Sequence, residues 1–278
     1  MMKLNNIYEI DVLEGLSKID SSSIDIIICD PPYSNSGHDF GNNKDMYNIT
    51  EYVEWSKLWM NECVRVLKDS GSIFIYGFSE ILAHLSVNLP LEKRWLIWYY
   101  TNKNSPYGKS WQRAHESVIY AWKNTPIFNL DAVRVPYTEQ YLKCVGNVRK
   151  GGTSRYGKAD TVYNANNKGA SPRDVIEIPA LAGGAGKKER YFLHDNKFHI
   201  GENLNNFPGA IKHPTQKPFK LTETLLKSAQ VDDGTVLVPF VGSGSELIVC
   251  NKMKMNYIGF EINPDYVKLA NMAIDYFK

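Results

Sequence analysis

The sequence predicts an α/β fold built on a doubly wound, mostly parallel sheet, and two observations carry that prediction. Short apolar runs alternate with helical patterns from Ile7 to Trp122, and the same alternation returns from Pro218 to the end of the chain. Such alternation is the pattern of strands crossed over by helices, so the two ends of the chain supply halves of what reads as a single sheet.

The elements follow in order. Ile7 to Ile10 reads as a strand, Val12 to Ile19 as a short helix, and Ile24 to Cys29, an almost unbroken β-branched run, as a buried strand. Thr50 is placed to cap a helix from Glu51 to about Lys68, because Trp55, Trp59, Cys63, Val66 and Leu67 fall on one face. Ser72 to Tyr76 is the next strand, Ser79 to about Asn88 a helix, and Trp95 to Thr101 and Ser117 to Trp122 two further strands. Beyond Pro218, the positions of Leu221, Leu225, Leu226 and Ala229 mark a helical face, and Thr235 to Val238 is a strand. Gly244 to about Asn251 opens a helix, Tyr257 to Phe260 is a strand, and Asn263 with Pro264 starts a last helix running to about Tyr276.

Between these halves, from about Leu130 to Asn206, periodicity dissolves into Gly, Asn, Lys, Arg and Tyr. So long an aperiodic stretch inside a chain of 278 residues is a functional insertion or a disordered one rather than filler. The expected organisation is therefore 1–129, 130–206 and 207–278. No apolar run approaches the length of a membrane span, and no secretory signal opens the chain, so a cytoplasmic location is expected. Cys29, Cys63, Cys144 and Cys250 have no paired spacing, which argues against both a zinc grip and a disulfide scaffold, and no metal is expected.

A net charge of +2 hides a polarity along the chain. Arg94 to Lys220 holds 20 Lys/Arg against 9 Asp/Glu, while the rest holds 12 against 21. A basic middle on an acidic frame suggests an anionic polymer as partner, and scattered solvated lysines are the plainer alternative.

The chemistry concentrates at strand ends, where open α/β sheets bind their ligands. Asp30-Pro31-Pro32-Tyr33 directly follows the strand Ile24 to Cys29. Two prolines fix the backbone there, so that a carboxylate, carbonyl oxygens and an aromatic face suit a planar group bearing an amine; a rigid turn with an exposed tyrosine is the alternative. Val238-Pro239-Phe240-Val241-Gly242-Ser243-Gly244 leads from a strand into a helix through small residues, either a cofactor loop or simply a tight turn. Glu261, at the end of the next strand, stands where an acid can accept hydrogen bonds from ribose hydroxyls, and Asp11, ending the first strand, raises the same question.

Together these strings resemble the beta-group, circularly permuted, S-adenosylmethionine-dependent DNA amino-methyltransferases of the N6-adenine/N4-cytosine family, in which the catalytic Asp-Pro-Pro-Tyr precedes the cofactor loop. The resemblance covers Ser23 to Tyr33, Arg65 to Tyr76 and the hexapeptide His213-Pro214-Thr215-Gln216-Lys217-Pro218, and leaves out the basic middle. It implies a Rossmann-like, doubly wound sheet of seven strands, with Leu130 to Asn206 as a target-recognition insertion. It implies S-adenosyl-L-methionine held across Asp11, Asp30, Lys217, Phe240, Gly242, Ser243, Gly244 and Glu261, with Asp11 near the adenine. Catalysis falls to Asp30, Pro31, Pro32 and Tyr33, which would draw the amine into the geometry that localises its lone pair while Tyr33 stacks on a base flipped from duplex DNA. Ser34 to Ile49 reads as a mobile loop over the DNA, and Trp98, Tyr99 and Tyr100 either support the base or belong to the core.

Arg149, Lys150, Arg155, Lys158, Lys187, Lys188 and Arg190 are the candidate phosphate contacts, and His115-Glu116 matches a family position with no evident chemical role. Adenine N6 is the expected target, because Asp30 stands where N4-cytosine members more often have serine. N4-cytosine transfer remains the alternative, and C5 transfer is disfavoured because no cysteine follows a proline. Double-stranded DNA is the expected partner, with a restriction endonuclease and a second copy of the chain as further candidates. One departure stands out: the family usually has an acid where Val238 stands. A substitute carboxylate elsewhere is the favoured explanation, and a catalytically inactive DNA-binding homologue the rival.

Overall fold

A computed structural model describes residues 2–33, 48–102, 111–151 and 159–278. Its chain divides into two compact units: Met1–Phe128 with Asp174–Lys278, and Asn129–Arg173.

The first unit carries the sheet. Its amino-terminal elements are β1 (Asn6–Glu9), α1 (Val12–Ser17), β2 (Ile24–Cys29), α2 (Ile49–Val66), β3 (Leu67–Gly77), α3 (Ser79–Asn88), β4 (Glu92–Tyr99) and β5 (His115–Trp122). Among its described residues the second unit holds a 3-10 turn at Leu130–Ala132, a one-turn helix, α4 (Glu139–Leu142), and a two-residue ribbon of β6 (Val148–Arg149) and β7 (Thr161–Val162). The chain then returns through β8 (Val175–Glu177), β9 (Tyr191–His194), β10 (Lys197–Ile200), α5 (Phe219–Ala229), β11 (Thr235–Val238), α6 (Ser245–Lys252), β12 (Asn256–Glu261) and α7 (Pro264–Phe277).

Among the described residues eight strands form the sheet, in the order β1-β12-β11-β2-β3-β5-β4-β8. Pairing is parallel from β1 across to β3, then antiparallel through β5 to β4, and parallel again to β8. The doubly wound α/β class is thus as expected, with one strand more than the seven implied by the resemblance. The extra strand is β8, three residues in the stretch that looked aperiodic, which extends the sheet beyond β4 at Ile97, Trp98 and Tyr99. Three residues are too short to show a period, and tertiary pairing rather than local pattern makes them a strand.

β2 lies inside the sheet, between β11 and β3, so both of its faces are covered. Ile24, Ile27 and Cys29 pack into one core layer with α1, α2 and α3, through Leu16, Trp59 and Leu82 among others. Ile26 and Ile28 face the other layer, with Leu225, Leu247 and Leu269 of α5, α6 and α7. Helix α2 is capped by Asn48 rather than Thr50: the Asn48 side chain accepts from the Glu51 N–H at 3.0 Å while Glu51 reaches back, a capping box that starts the helix one residue before Thr50. β9 and β10 pair antiparallel across Asp195 and Asn196, both with positive φ, the geometry of a tight hairpin turn. Among the described residues no helix is long and apolar enough to cross a membrane.

Candidate active site at the carboxyl ends of the parallel strands

The strand ends of β1, β2, β11 and β12 converge on one cleft of about 610 Å³ of empty space. Its walls include Asp11, Asp30, Pro31, Pro32, Tyr33, Trp55, Phe240, Gly242 and Glu261. This is the crevice where parallel sheets take ligands.

Each polar group is fixed by local structure. Asp11 caps α1, its Oδ1 accepting from the Leu13 N–H at 2.9 Å. Gly242 adopts φ +52°, and a Cβ there would come within 2.6 Å of His213 Nε2, so the loop can pass beneath that ring only as glycine. The Gly242 N–H donates to Glu261 Oε2 at 2.7 Å and the Asn263 N–H to Oε1 at 2.8 Å. Burial raises the Glu261 carboxyl above its ordinary range, and these backbone donors counter part of that rise. Phe240 is wedged edge-on between Trp55 and Trp59 of α2, at 5.9 and 5.3 Å between ring centres.

Asp30 forms the chemical centre. Tyr33 donates its hydroxyl to Asp30 Oδ1 at 2.6 Å, and Lys217 Nζ donates to Oδ2 at 2.6 Å. Lys217, 2% exposed, also donates to the Tyr33 hydroxyl oxygen at 3.0 Å and to the Thr215 carbonyl at 3.2 Å, so three acceptors surround its three N–H groups. Burial alone would depress this ammonium, but the carboxylates of Asp30, Glu116 and Glu246 outweigh it and the pKa is raised. Lys217 therefore stays charged, and the buried pair is geometrically complete. The Tyr33 ring, 4% exposed, meets Phe78 edge-on at 4.9 Å, and Arg113 sits 4.1 Å from the centre of Phe78.

A second, larger hollow of about 2060 Å³ of empty space lies on the other side of Tyr33. Trp98, Glu116, Arg190, Tyr191 and Lys217 line it, and it shares Tyr33, His213, Thr215 and Tyr266 with the first cleft. Two cavities thus meet at a wall carrying Tyr33, with Asp30 bonded to that tyrosine. That arrangement suits transfer of a group from one bound molecule to another.

Most of the residues picked from sequence assemble here. Asp11, Asp30, Phe240, Gly242 and Glu261 line the first cleft. Ser243 and Gly244 lie behind it: Ser243 is buried, its carbonyl accepting from the Tyr191 hydroxyl at 2.9 Å, and Gly244 packs against Ala270. Lys217 reaches the site through Asp30 and the second hollow rather than through the first cleft. Trp98 is buried, donates to the Ile178 carbonyl at 2.8 Å and lines the second hollow. Lys187, Lys188 and Arg190 are exposed. In the smaller unit Arg149 is half-buried, while Lys150 is exposed and pairs with Asp160 at 2.8 Å. Arg155, Lys158 and the stretch 34–47 lie outside the described residues. Sequence reasoning missed Tyr266, whose ring packs on His213 at 5.0 Å, and Glu246, which looks like an ordinary helix residue; Glu116, given no chemical role from sequence, acts with Glu246 on the charge of Lys217.

A family model described as DNA methylase matches residues 24–272, and the chain belongs to that N6/N4 DNA methylase family. Among its relatives, the type II methyltransferase M.HpaI of Haemophilus parainfluenzae is 30% identical over 95% of this chain and 72% of its own length. The DNA adenine methyltransferase YhdJ of Escherichia coli is 26% identical over 95% and 81%. Solved structures share the fold: the cytosine-N4-specific PvuII DNA methyltransferase has a TM-score of 0.68 at 18% identity, covering 98% of this chain and 87% of its own. M1.HpyAVI, solved as a complex with SAM, has a TM-score of 0.57 at 18% identity, covering 97% and 98%.

Proposed function

We propose that the chain transfers a methyl group from S-adenosyl-L-methionine to N6 of adenine in duplex DNA. The observation that carries this reading is the position of Asp30, gripped by Tyr33 and Lys217 where two cavities meet.

The donor fits the first cleft on chemistry. Its three carboxylates, Asp11, Asp30 and Glu261, are acceptors suited to ribose hydroxyls, an amino group and a cation, and Phe240, Ile10 and Val12 offer apolar surface for an adenine. When bound, S-adenosylmethionine supplies a sulfonium methyl, the electrophile for in-line attack by the target amine. The chain's own residues do the rest by positioning and electrostatics. Asp30 keeps lone pairs beyond those used by Tyr33 and Lys217, and one of them accepts an N–H of the target amine. The Pro31 carbonyl is the second acceptor, and together they favour the pyramidal nitrogen whose lone pair is available. Lys217 and Tyr33 hold the carboxylate in one orientation, and Tyr33 presents its ring between the two hollows.

An extruded base occupies the second hollow, against Tyr33 and Trp98, after flipping at a cost of a few kcal/mol. Arg149, Lys150, Arg155, Lys158, Lys187, Lys188 and Arg190 are assigned to DNA phosphates, and the unit Asn129–Arg173 to target recognition. A restriction endonuclease partner and a homodimer belong to the same reading.

Transfer of labelled methyl from S-adenosylmethionine to mixed-sequence duplex DNA, followed by nucleoside analysis, tests it. N6-methyladenine is the expected product. N4-methylcytosine would keep the geometry and replace the base, and no labelled nucleoside would overturn the reading.

A further inference from the structure

Helix α6 buries a carboxylate that has no part in the cleft walls. Glu246, in the first turn of α6, is 3% exposed. Its Oε2 accepts from the Ser245 hydroxyl at 2.8 Å, while Oε1 has no hydrogen-bond partner among the described residues. An orphaned carboxylate oxygen is expensive in a core, and packing alone would favour an apolar residue there.

The titratable and polar groups that act on Glu246 come from several elements: Asp30 at the end of β2, Lys217 ahead of α5, Tyr76 of β3, Tyr191 of β9, and Cys250 and Ser245 of its own helix. Lys217 is the only cation in that set, and its three N–H groups are already spent on Asp30, Tyr33 and Thr215. Lys217 is thus shared between Asp30, which it bonds, and Glu246, which it reaches only through space. Burial first, then the charge of Asp30, push the Glu246 carboxyl up to about 7, with Lys217 acting against them. The centre is thus short of positive charge, and a cation arriving beside Asp30 would relieve the deficit.

We propose that Glu246 is a positioning residue for the methyl donor, shedding its proton to solvent as a sulfonium cation enters the cleft and regaining one when the neutral thioether product remains. The Glu246 O–H bond breaks, the proton goes to water, and the carboxylate charge answers the sulfonium charge. The inference rests on the donor reading above and deepens it.

Calorimetry of the full chain tests it, with S-adenosylmethionine and S-adenosylhomocysteine titrated in buffers of different ionisation enthalpy. At pH 7 the wild type should release about half a proton on binding the sulfonium ligand, a group half-protonated at its midpoint becoming ionised. The neutral thioether, which has the same amino-acid end, should release none of it, and Glu246→Gln should abolish the difference. Glu246→Gln should also bind the sulfonium ligand roughly tenfold more weakly at pH 8 and nearly as well as wild type at pH 5.5, a loss the size of one partly screened charge pair. Glu246→Asp should restore part of the proton release. Equal release by wild type and Glu246→Gln would overturn this proposal and leave the donor reading standing, whereas binding of neither ligand to the wild type would remove both.

Discussion

Strand β2 carries an aspartate-lysine pair at each end, and the two pairs do different work. At the amino end, Asp25 takes Lys68 Nζ on both oxygens at 2.8 Å and the Thr235 N–H on Oδ2 at 2.9 Å. Lys68 is partly exposed, and neither residue lines a cavity described above. At the carboxyl end, Asp30 takes Lys217, which is buried, and the pair opens on two hollows. The chemistry is the same, but the topology is not. Parallel strands put loop backbone and helix starts at their carboxyl ends, so only there does a paired carboxylate meet space for a ligand. A buried ion pair is weak evidence for stability and here is better evidence for a site.

The comparison breaks most sharply under substitution. Asp30→Asn should lower methyl transfer by about a thousandfold, the scale of a lost transition-state contact, while an asparagine oxygen still receives Lys217 or Tyr33 and the chain folds. Asparagine separates the roles better than alanine, which would strand a buried ammonium. Asp25→Asn should reverse the pattern, costing about 2 kcal/mol in urea melts because a pair and a backbone hydrogen bond are weakened, with transfer per folded molecule unchanged.

Glu246 sharpens the contrast through pH. Its folded pKa lies near 7, above the unfolded value of about 4.5, so the native state binds the extra proton between those values and loses stability as pH rises through that window. Glu246→Gln should therefore melt higher than wild type at pH 8, by the equivalent of about 1–3 kcal/mol, with the gap closing toward pH 4.5. The smallest effect should come from Lys187→Ala with Lys188→Ala, which should weaken DNA binding across sequences and reduce the salt slope by about 2.

Much of this was legible before any coordinates. β2 and β11 read correctly to the residue, because a β-branched run ending in Asp-Pro-Pro or Pro-Phe marks its own boundary. The strand-end positions of Asp11, Asp30, Gly242 and Glu261 followed from the same logic. What stayed hidden was non-local. Lys217 meets Asp30 across 187 positions, and Glu246 comes within electrostatic reach of Tyr76 and Tyr191 only through the tertiary fold. The stretch 174–206 looked aperiodic because its strands are three or four residues long, too short for a period to register. Asp195-Asn196 was a readable hairpin signal within it, a cue that Asp174 onward belongs with the sheet unit.

The central claim is that the two ends of β2 divide structure from chemistry. The most direct test measures labelled methyl transfer to duplex DNA by Asp30→Asn and Asp25→Asn side by side, each scaled to its folded fraction. Transfer should be lost in the first and kept in the second. Equal loss in both, or transfer retained by Asp30→Asn, would contradict it.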